Sequence, residues 1–522
     1  MGGATVAHAL ASTGARITVL ERGVQIPAAR ENRDARTVYR SNHFKSDDFW
    51  YRPDGTAFAA GNHFNVGGNT KFYGGVLYRL RQRDFDGVAY PEGESRAWPI
   101  RYAELEPWYQ AAERLYQVRG DASQDPSEPP RQAPLPFPAV PDEPAIAEAR
   151  RRMAAIGLHP SALPLGIDLA SWLSHGETGW DGFPDAREGK MDAENCALIP
   201  ALARPDVELR SGAKVTRILF APDGKRAIGV EFESGGQVQT LRAGLVVLAA
   251  GAIPSAAILL ASDVDKTVNR SGQVGHNLMA HNQSIVIGFD WRFRNDAVYQ
   301  KTFAINDFYL NDGAGGPPLG NVQLLGRVDG TILKAGLPHV PEWLLGQLSR
   351  HTLDFFLNSE DLPDKRNHVR LDGKRLVLDF QHRTNLATHD RLKARWKKAL
   401  AQAGFKRSVS MLFGRDGPGH QCGTIRMGAD PADSPLNGWC QAHDCANLFV
   451  TDGSPFASAA AVNPALTVAA LALRAAQRMQ GEMGVAPSIP PSAPAPSPLL
   501  QPAQPRTAPP PAPPAMPPSA AR

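Results

Sequence analysis

Three stretches near the C-terminus bring together residue types that can take a proton and hold a flat, electron-rich group. They are His420-Gln421-Cys422-Gly423-Thr424, then Asn447-Leu448-Phe449-Val450-Thr451-Asp452-Gly453-Ser454, then Ala461-Val462-Asn463-Pro464-Ala465-Leu466-Thr467. A histidine titrates near neutral pH, which suits it to accept a hydroxyl proton. An asparagine can hydrogen-bond a substrate oxygen but cannot take its proton. Residues 447–450 read as a short apolar strand. Asp452-Gly453 ends it, and glycine lets the backbone approach a ligand closely. Pro464 suits the first turn of a helix, where its missing N–H is no loss, and the Ala/Leu-rich run 465–479 is that helix. A strand feeding a helix N-terminus makes a place for a phosphate or an electron-rich ring. Periodicity alone fits a buried α/β crossover equally well.

The elements that must position these residues begin at the other end of the chain. Met1-Gly2-Gly3-Ala4 leads into a helix through Ala11, which Gly14 breaks. A β-branched strand, Arg16-Ile17-Thr18-Val19-Leu20, then ends in Glu21-Arg22-Gly23. This is the second half of a dinucleotide-binding βαβ unit. Gly3 stands where the third glycine of G-x-G-x-x-G belongs, and Glu21 follows at the distance of the acidic residue that binds the adenosine ribose. The first strand and the earlier glycines of that pattern do not precede it. The expectation is therefore a natural start upstream and a cofactor site incomplete in residues 1–522. Further on, Gly67-Gly68-Asn69-Thr70-Lys71-Phe72-Tyr73-Gly74-Gly75 is dense in glycine, as a backbone must be for its N–H groups to reach phosphate oxygens. Leu245-Val246-Val247-Leu248-Ala249-Ala250-Gly251-Ala252-Ile253-Pro254-Ser255 reads as an apolar strand, a glycine turn and a helix start. Other strands are expected near 206–209, 213–220 and 228–233, and a helix over 386–403.

In residue order these segments resemble the glucose-methanol-choline (GMC) flavin oxidoreductases. Trp98-Pro99-Ile100-Arg101-Tyr102 and Asp181-Gly182-Phe183-Pro184 resemble the bacterial branch related to pyranose oxidases and to gluconate and fructose dehydrogenase flavin subunits. The resemblance implies an α/β fold: a Rossmann-like FAD-binding domain with an α+β substrate-binding domain built on an antiparallel sheet. It implies a CH–OH oxidation in which a hydride goes to flavin N5 and the hydroxyl proton to His420, with Asn463 at the second catalytic position, which is His or Asn in different members. It implies FAD contacts from Gly2, Gly3, Glu21, Gly67, Gly68, Asn69, Val215, Asp452, Gly453, Asn463 and Pro464. FAD is expected to be non-covalent, because Phe72 stands where relatives with a flavin bond carry histidine. Asp185 stands where cysteine is common, so any cysteine-dependent feature there is lost. His443 is expected to be structural.

Composition bounds the rest. The 522 residues suffice for two sub-domains, and 43% hydrophobic with 21% charged residues are globular proportions. A net charge of +4 with 14 His is too mild to argue for nucleic acid or an anionic membrane. Cys196, Cys422, Cys440 and Cys445 show neither metal spacing nor disulfide density. No apolar run reaches a membrane span; 245–261 comes nearest and Pro254 breaks it. No leader is readable ahead of the dinucleotide fold, so the expected location of the sequence as written is cytoplasmic. The expected division is an FAD-binding domain over 1–290 with a long loop near 120–145, a substrate-binding domain over 291–410, a return to the first domain over 411–480, and a disordered Pro/Ala-rich tail over 481–522. Fifteen of the 45 prolines fall in the last 38 positions. The expected partners are a small-molecule alcohol or carbohydrate and an electron acceptor that the sequence does not identify. Three rivals stand beside this reading: a lyase with a structural flavin, a nicotinamide dehydrogenase sharing the βαβ unit, and a non-catalytic remnant.

Overall fold

The computed structural model describes residues 1–41, 43–175, 181–262, 264–417 and 419–485; the expected tail beyond 485 lies outside the described residues. The helix Gly2–Leu10 runs into a 3₁₀ turn, Ala11–Thr13, which Gly14 closes in the left-handed conformation (φ +75°). The strand Ile17–Glu21 follows and pairs in parallel with Val207–Ser211. A second parallel pair joins Val246–Leu248 to Cys445–Val450, with Gln441–Ala442 added antiparallel. Among the described residues no strand links these two ladders, and both border one cavity. Lys214–Phe220, Ala227–Ser234 and Gln237–Arg242 form an antiparallel meander. Its last turn, Gly235-Gly236, has positive φ at both residues (57° and 76°), as a tight two-residue hairpin demands.

The helix Ala465–Glu482 is apolar around most of its circumference and packs on both Gly2–Leu10 and Tyr102–Leu115. Arg474 is buried within it. Its guanidinium lies over the Trp439 ring, 3.7 Å from the centroid, and donates to the Gly438 carbonyl. The chain thus ends its described part by sealing the core that its first helix began.

The second region is a six-stranded sheet in the order Arg407–Leu412, His281–Phe289, Thr352–Glu360, Asn321–Gly326, Phe303–Ile305 and Pro160–Ala162. The sheet draws on strands beyond 291–410: one crosses residue 410, one ends just before 290, and one comes from residue 160. An antiparallel sheet pairs segments distant in sequence, and nothing in a single strand names its partner. The helix Leu386–Gln402 covers one face with Pro144–Ala155. Trp396 and Leu392 meet Phe355, Val286 and Met153 there, and the Trp396 and Phe355 rings contact edge-on at 4.6 Å. Residues 120–145 are a loop only in part, since Ala122–Gln124 is a 3₁₀ turn and Pro144 already opens a helix. Strand alternation sends Ser284, Phe355, Leu357, Val322 and Leu324 toward the helices and leaves the opposite face to His281, Gln283, Phe356, Asn358 and Gln323. That face looks onto the cavity.

Candidate active site

A cavity of about 2400 Å³ lies between the two regions. That exceeds the roughly 300–1,000 Å³ of an ordinary small-molecule site and leaves room for a dinucleotide with a substrate. Its two ends have different walls.

One end is built from backbone. Gly2 and Gly3 open the first helix there, and a Cβ on Gly2 would overlap the Thr451 carbonyl oxygen, so only glycine lets the helix start abut the strand Cys445–Val450. Glu21 lies at the end of its strand. Its Oε1 accepts from the Gly23 N–H at 2.8 Å, and burial raises its pKa against the pull of that N–H and of Arg22. Val215, on the strand Lys214–Phe220, lines the same end. Gly67 and Gly68 turn with φ of +89° and +58°, and the Asn69 side chain accepts from the His63 N–H at 2.9 Å. Beneath this loop Lys71 is fully buried, with Nζ 2.9 Å from Asp192 and 2.7 Å from Glu194. Burial opposes its charge, but the two carboxylates more than offset that and raise its pKa. Phe72 stacks on His63 with centroids 3.8 Å apart.

Asp452 joins the two halves of the second ladder. Its Oδ2 accepts from the Gly251 N–H (2.8 Å) and the Ser255 hydroxyl (2.5 Å), and its Oδ1 from the Ser454 N–H (2.8 Å). Its acceptors are therefore engaged in holding the two turns together. Gly453 must be glycine, since a Cβ there would come 2.5 Å from the Gln421 carbonyl oxygen. Pro464 caps the last helix and lies on the cavity wall.

The other end is built from side chains. His420 is half-buried, with its backbone in the left-handed region (φ +57°). Its Nε2 lies 3.3 Å from Asn463 Nδ2, and its Nδ1 lies 2.9 Å from His281 Nδ1. Asn463 Oδ1 accepts from Gln323 Nε2 at 2.5 Å, which fixes the carboxamide with its N–H toward the histidine. Burial, then the neighbouring His281 and the Lys301 charge, hold the His420 pKa well below its usual value. Lys301 pairs with Asp181 at 2.5 Å on the same wall. His443 instead faces the Gly428 carbonyl at 3.1 Å, and the four cysteines are free and buried. No helix among the described residues is long and apolar enough to cross a membrane.

All the residues expected to take part in catalysis or to contact FAD line this cavity. His281, Gln283, Gln323, Asn358 and Lys301 were not anticipated. The one readable signal was the alternation His281-Asn282-Gln283-Ser284, polar on both faces of a strand otherwise apolar. A cavity end walled by turns that only glycine can close, with an acidic strand end beside it, fits FAD, and the polar far wall leaves room for a substrate.

Two family models, each described as GMC oxidoreductase, match the chain: the N-terminal one over residues 163–283 and the C-terminal one over 363–472. Paromamine 6'-oxidase of Streptomyces fradiae is 27% identical over 518 residues, covering 92% of this chain and 90% of that protein. The 2-methyl-1,2-propanediol dehydrogenase of Mycolicibacterium austroafricanum is 28% identical, covering 79% of this chain and 80% of its own. An FAD-dependent oxidoreductase from Chaetomium thermophilum has the same fold, with a TM-score of 0.62 at 15% identity over 93% of this chain and 98% of that one.

Proposed function

The chain belongs to the GMC oxidoreductase family, and from that premise we propose that it holds FAD without a covalent link and oxidises the CH–OH group of an alcohol, polyol or sugar, with His420 as the base. The observation that carries the reading is the opposition of His420 Nε2 and Asn463 Nδ2 at 3.3 Å, in a cavity whose far end is glycine and Glu21. When bound, FAD supplies the hydride acceptor. The protein's part is to receive the proton and fix the oxygen. A hydroxyl entering between the pair displaces the Asn463 N–H from His420 Nε2, then accepts from Asn463 Nδ2 and donates to His420 Nε2. The depressed pKa keeps that nitrogen unprotonated at neutral pH. Gln323, Gln283 and Asn358 add carboxamides to the wall, which suits a substrate with further hydroxyls. Residues 1–290 and 411–480 hold the cofactor in this reading, and the sheet around 291–410 presents the substrate. Phe72 offers no nucleophile for a flavin bond.

Anaerobic mixing of the FAD-loaded protein with a panel of simple alcohols, diols, sugars and aminosugars tests the proposal. Bleaching of the flavin by at least one polyhydroxylated member is expected, and acid precipitation should release all the yellow colour. A panel that bleaches nothing overturns the oxidation reading; colour kept in the pellet overturns the non-covalent one.

A further inference from the structure

We infer that His281 is a positioning residue that decides which nitrogen of His420 carries the proton, and so leaves Nε2 free to act. The inference rests on the reading of His420 as base. Its starting point is the Ala459 carbonyl oxygen, which can only accept. His281 Nε2 lies 3.2 Å from it and must therefore carry a proton. His281 is buried, and that burial pushes its pKa down to about 4, so the ring holds only this one proton. Its Nδ1 is then a bare lone pair. His420 Nδ1 faces that lone pair at 2.9 Å, and two facing ring nitrogens need one proton between them. His420 has to supply it. Neutral His420 protonated at Nδ1 is bare at Nε2.

The opposite end of the chain of contacts agrees independently. Gln323 Nε2 donates to Asn463 Oδ1, so Asn463 presents its N–H to His420 Nε2 at 3.3 Å, and a donor there requires a bare nitrogen. Four hydrogen bonds thus point one way, from Gln323 through Asn463, His420 and His281 to Ala459. One contact runs against the order: Gln283 Nε2 is 3.4 Å from His420 Nδ1. It has a nearer acceptor in Asn358 Oδ1 at 3.0 Å, which draws its N–H away.

When Nε2 takes a proton from the substrate, the positive charge stays on His420. His281 already holds its proton on Nε2 and accepts from Nδ1–H throughout, so the base does not hand the proton on. In this it resembles the orienting partner of a catalytic triad, with an uncharged ring in place of a carboxylate. His281 touches no reacting atom.

The experiment compares His281→Leu, which removes the acceptor, with His281→Asn, whose Oδ1 can take the place of Nδ1. The FAD-loaded proteins are followed by anaerobic flavin reduction and by ¹⁵N spectra of labelled histidine, with the His420 signals identified by their loss in His420→Ala. In the wild type, Nδ1 of His420 is expected to show the protonated shift and Nε2 the bare one. His281→Leu should lose that pattern and slow reduction at least about 10-fold, as a mis-set tautomer does in other bases. His281→Asn should keep the pattern and recover most of the rate. A wild-type His420 protonated on Nε2 overturns the inference, as does equal reduction by the Leu and Asn variants. Should His281→Leu fail to load FAD, the wild-type and Asn spectra still decide. Failure of the base reading looks different: His420→Ala would then reduce flavin at the wild-type rate.

Discussion

The two ends of the cavity are made of different materials. At the glycine end the main chain forms the surface, and side chains matter chiefly by being absent: Gly2, Gly67 and Gly453 each stand where a Cβ would collide. At the histidine end the main chain recedes, and imidazoles and carboxamides from strands and loops remote in sequence form the surface. The difference teaches where tolerance lies. A backbone surface is broken by adding atoms, a side-chain surface by removing them. Damage to the first should cost cofactor and damage to the second should cost chemistry.

The largest effect is expected at the side-chain end. His420→Ala should slow anaerobic flavin reduction by on the order of 100-fold or more, the scale of base catalysis, while FAD content stays at the wild-type level. Loss of FAD along with the rate would blur the contrast between the two ends. Next comes Gly67→Val at the backbone end. The new Cβ would sit 2.8 Å from the Lys71 chain at a φ of +89°, where a β-branched residue is strained by roughly 1–3 kcal/mol. FAD affinity should fall at least about tenfold, since 1.4 kcal/mol is a factor of ten, with reduction of whatever flavin remains bound proceeding at the normal rate. Titration by flavin fluorescence measures the first quantity and stopped flow the second. A normal affinity would show that the loop yields.

Gln323→Leu should have a smaller effect. It removes the donor that holds Asn463 and leaves Asn463 Oδ1 unpaired, a loss of about 1–3 kcal/mol. An apparent KM raised about tenfold with FAD binding untouched is the expected outcome; an unchanged KM would mean that Asn463 keeps its orientation unaided. The smallest effect is a flat line. Because the His420 pKa is lowered, its bare form persists as pH falls past the usual histidine value of 6.5. The rate constant for flavin reduction should hold steady from pH 7.5 to 6. An ordinary histidine would lose more than half its bare form over that range, and a rate that halves near 6.5 would contradict the burial of the base.

The same contrast explains what could be read from the chain. Glycine turns are demanded by local backbone geometry, so Gly67-Gly68, Asp452-Gly453 and the strand–helix units around them are visible in sequence. The strands expected near 206–209 and 228–233 lie at Val207–Ser211 and Ala227–Ser234, and the helix of 386–403 at Leu386–Gln402. The strand that opens the stretch 245–255 is Val246–Leu248, since Ala249-Ala250-Gly251 form the turn that Asp452 holds. The polar wall was hidden for a different reason. Gln323, Asn358 and Gln283 share a wall only because strands whose paired residues lie 28 to 79 positions apart meet in one register, and Asn463 reaches that wall from a loop more than 100 residues further on. His281 is one residue in a strand whose significance depends on a carbonyl at position 459. Local pattern carries no trace of either meeting.

His420 also shows what the site asks of the fold. A side chain on a left-handed backbone costs on the order of 1–2 kcal/mol that a glycine would not. The proposed base is thus held on a backbone that glycine alone would adopt without this cost, and its presence there is explained by chemistry rather than by stability. Engineering for heat tolerance should therefore leave this position alone and seek its gains in the helices that cover the far face of the sheet.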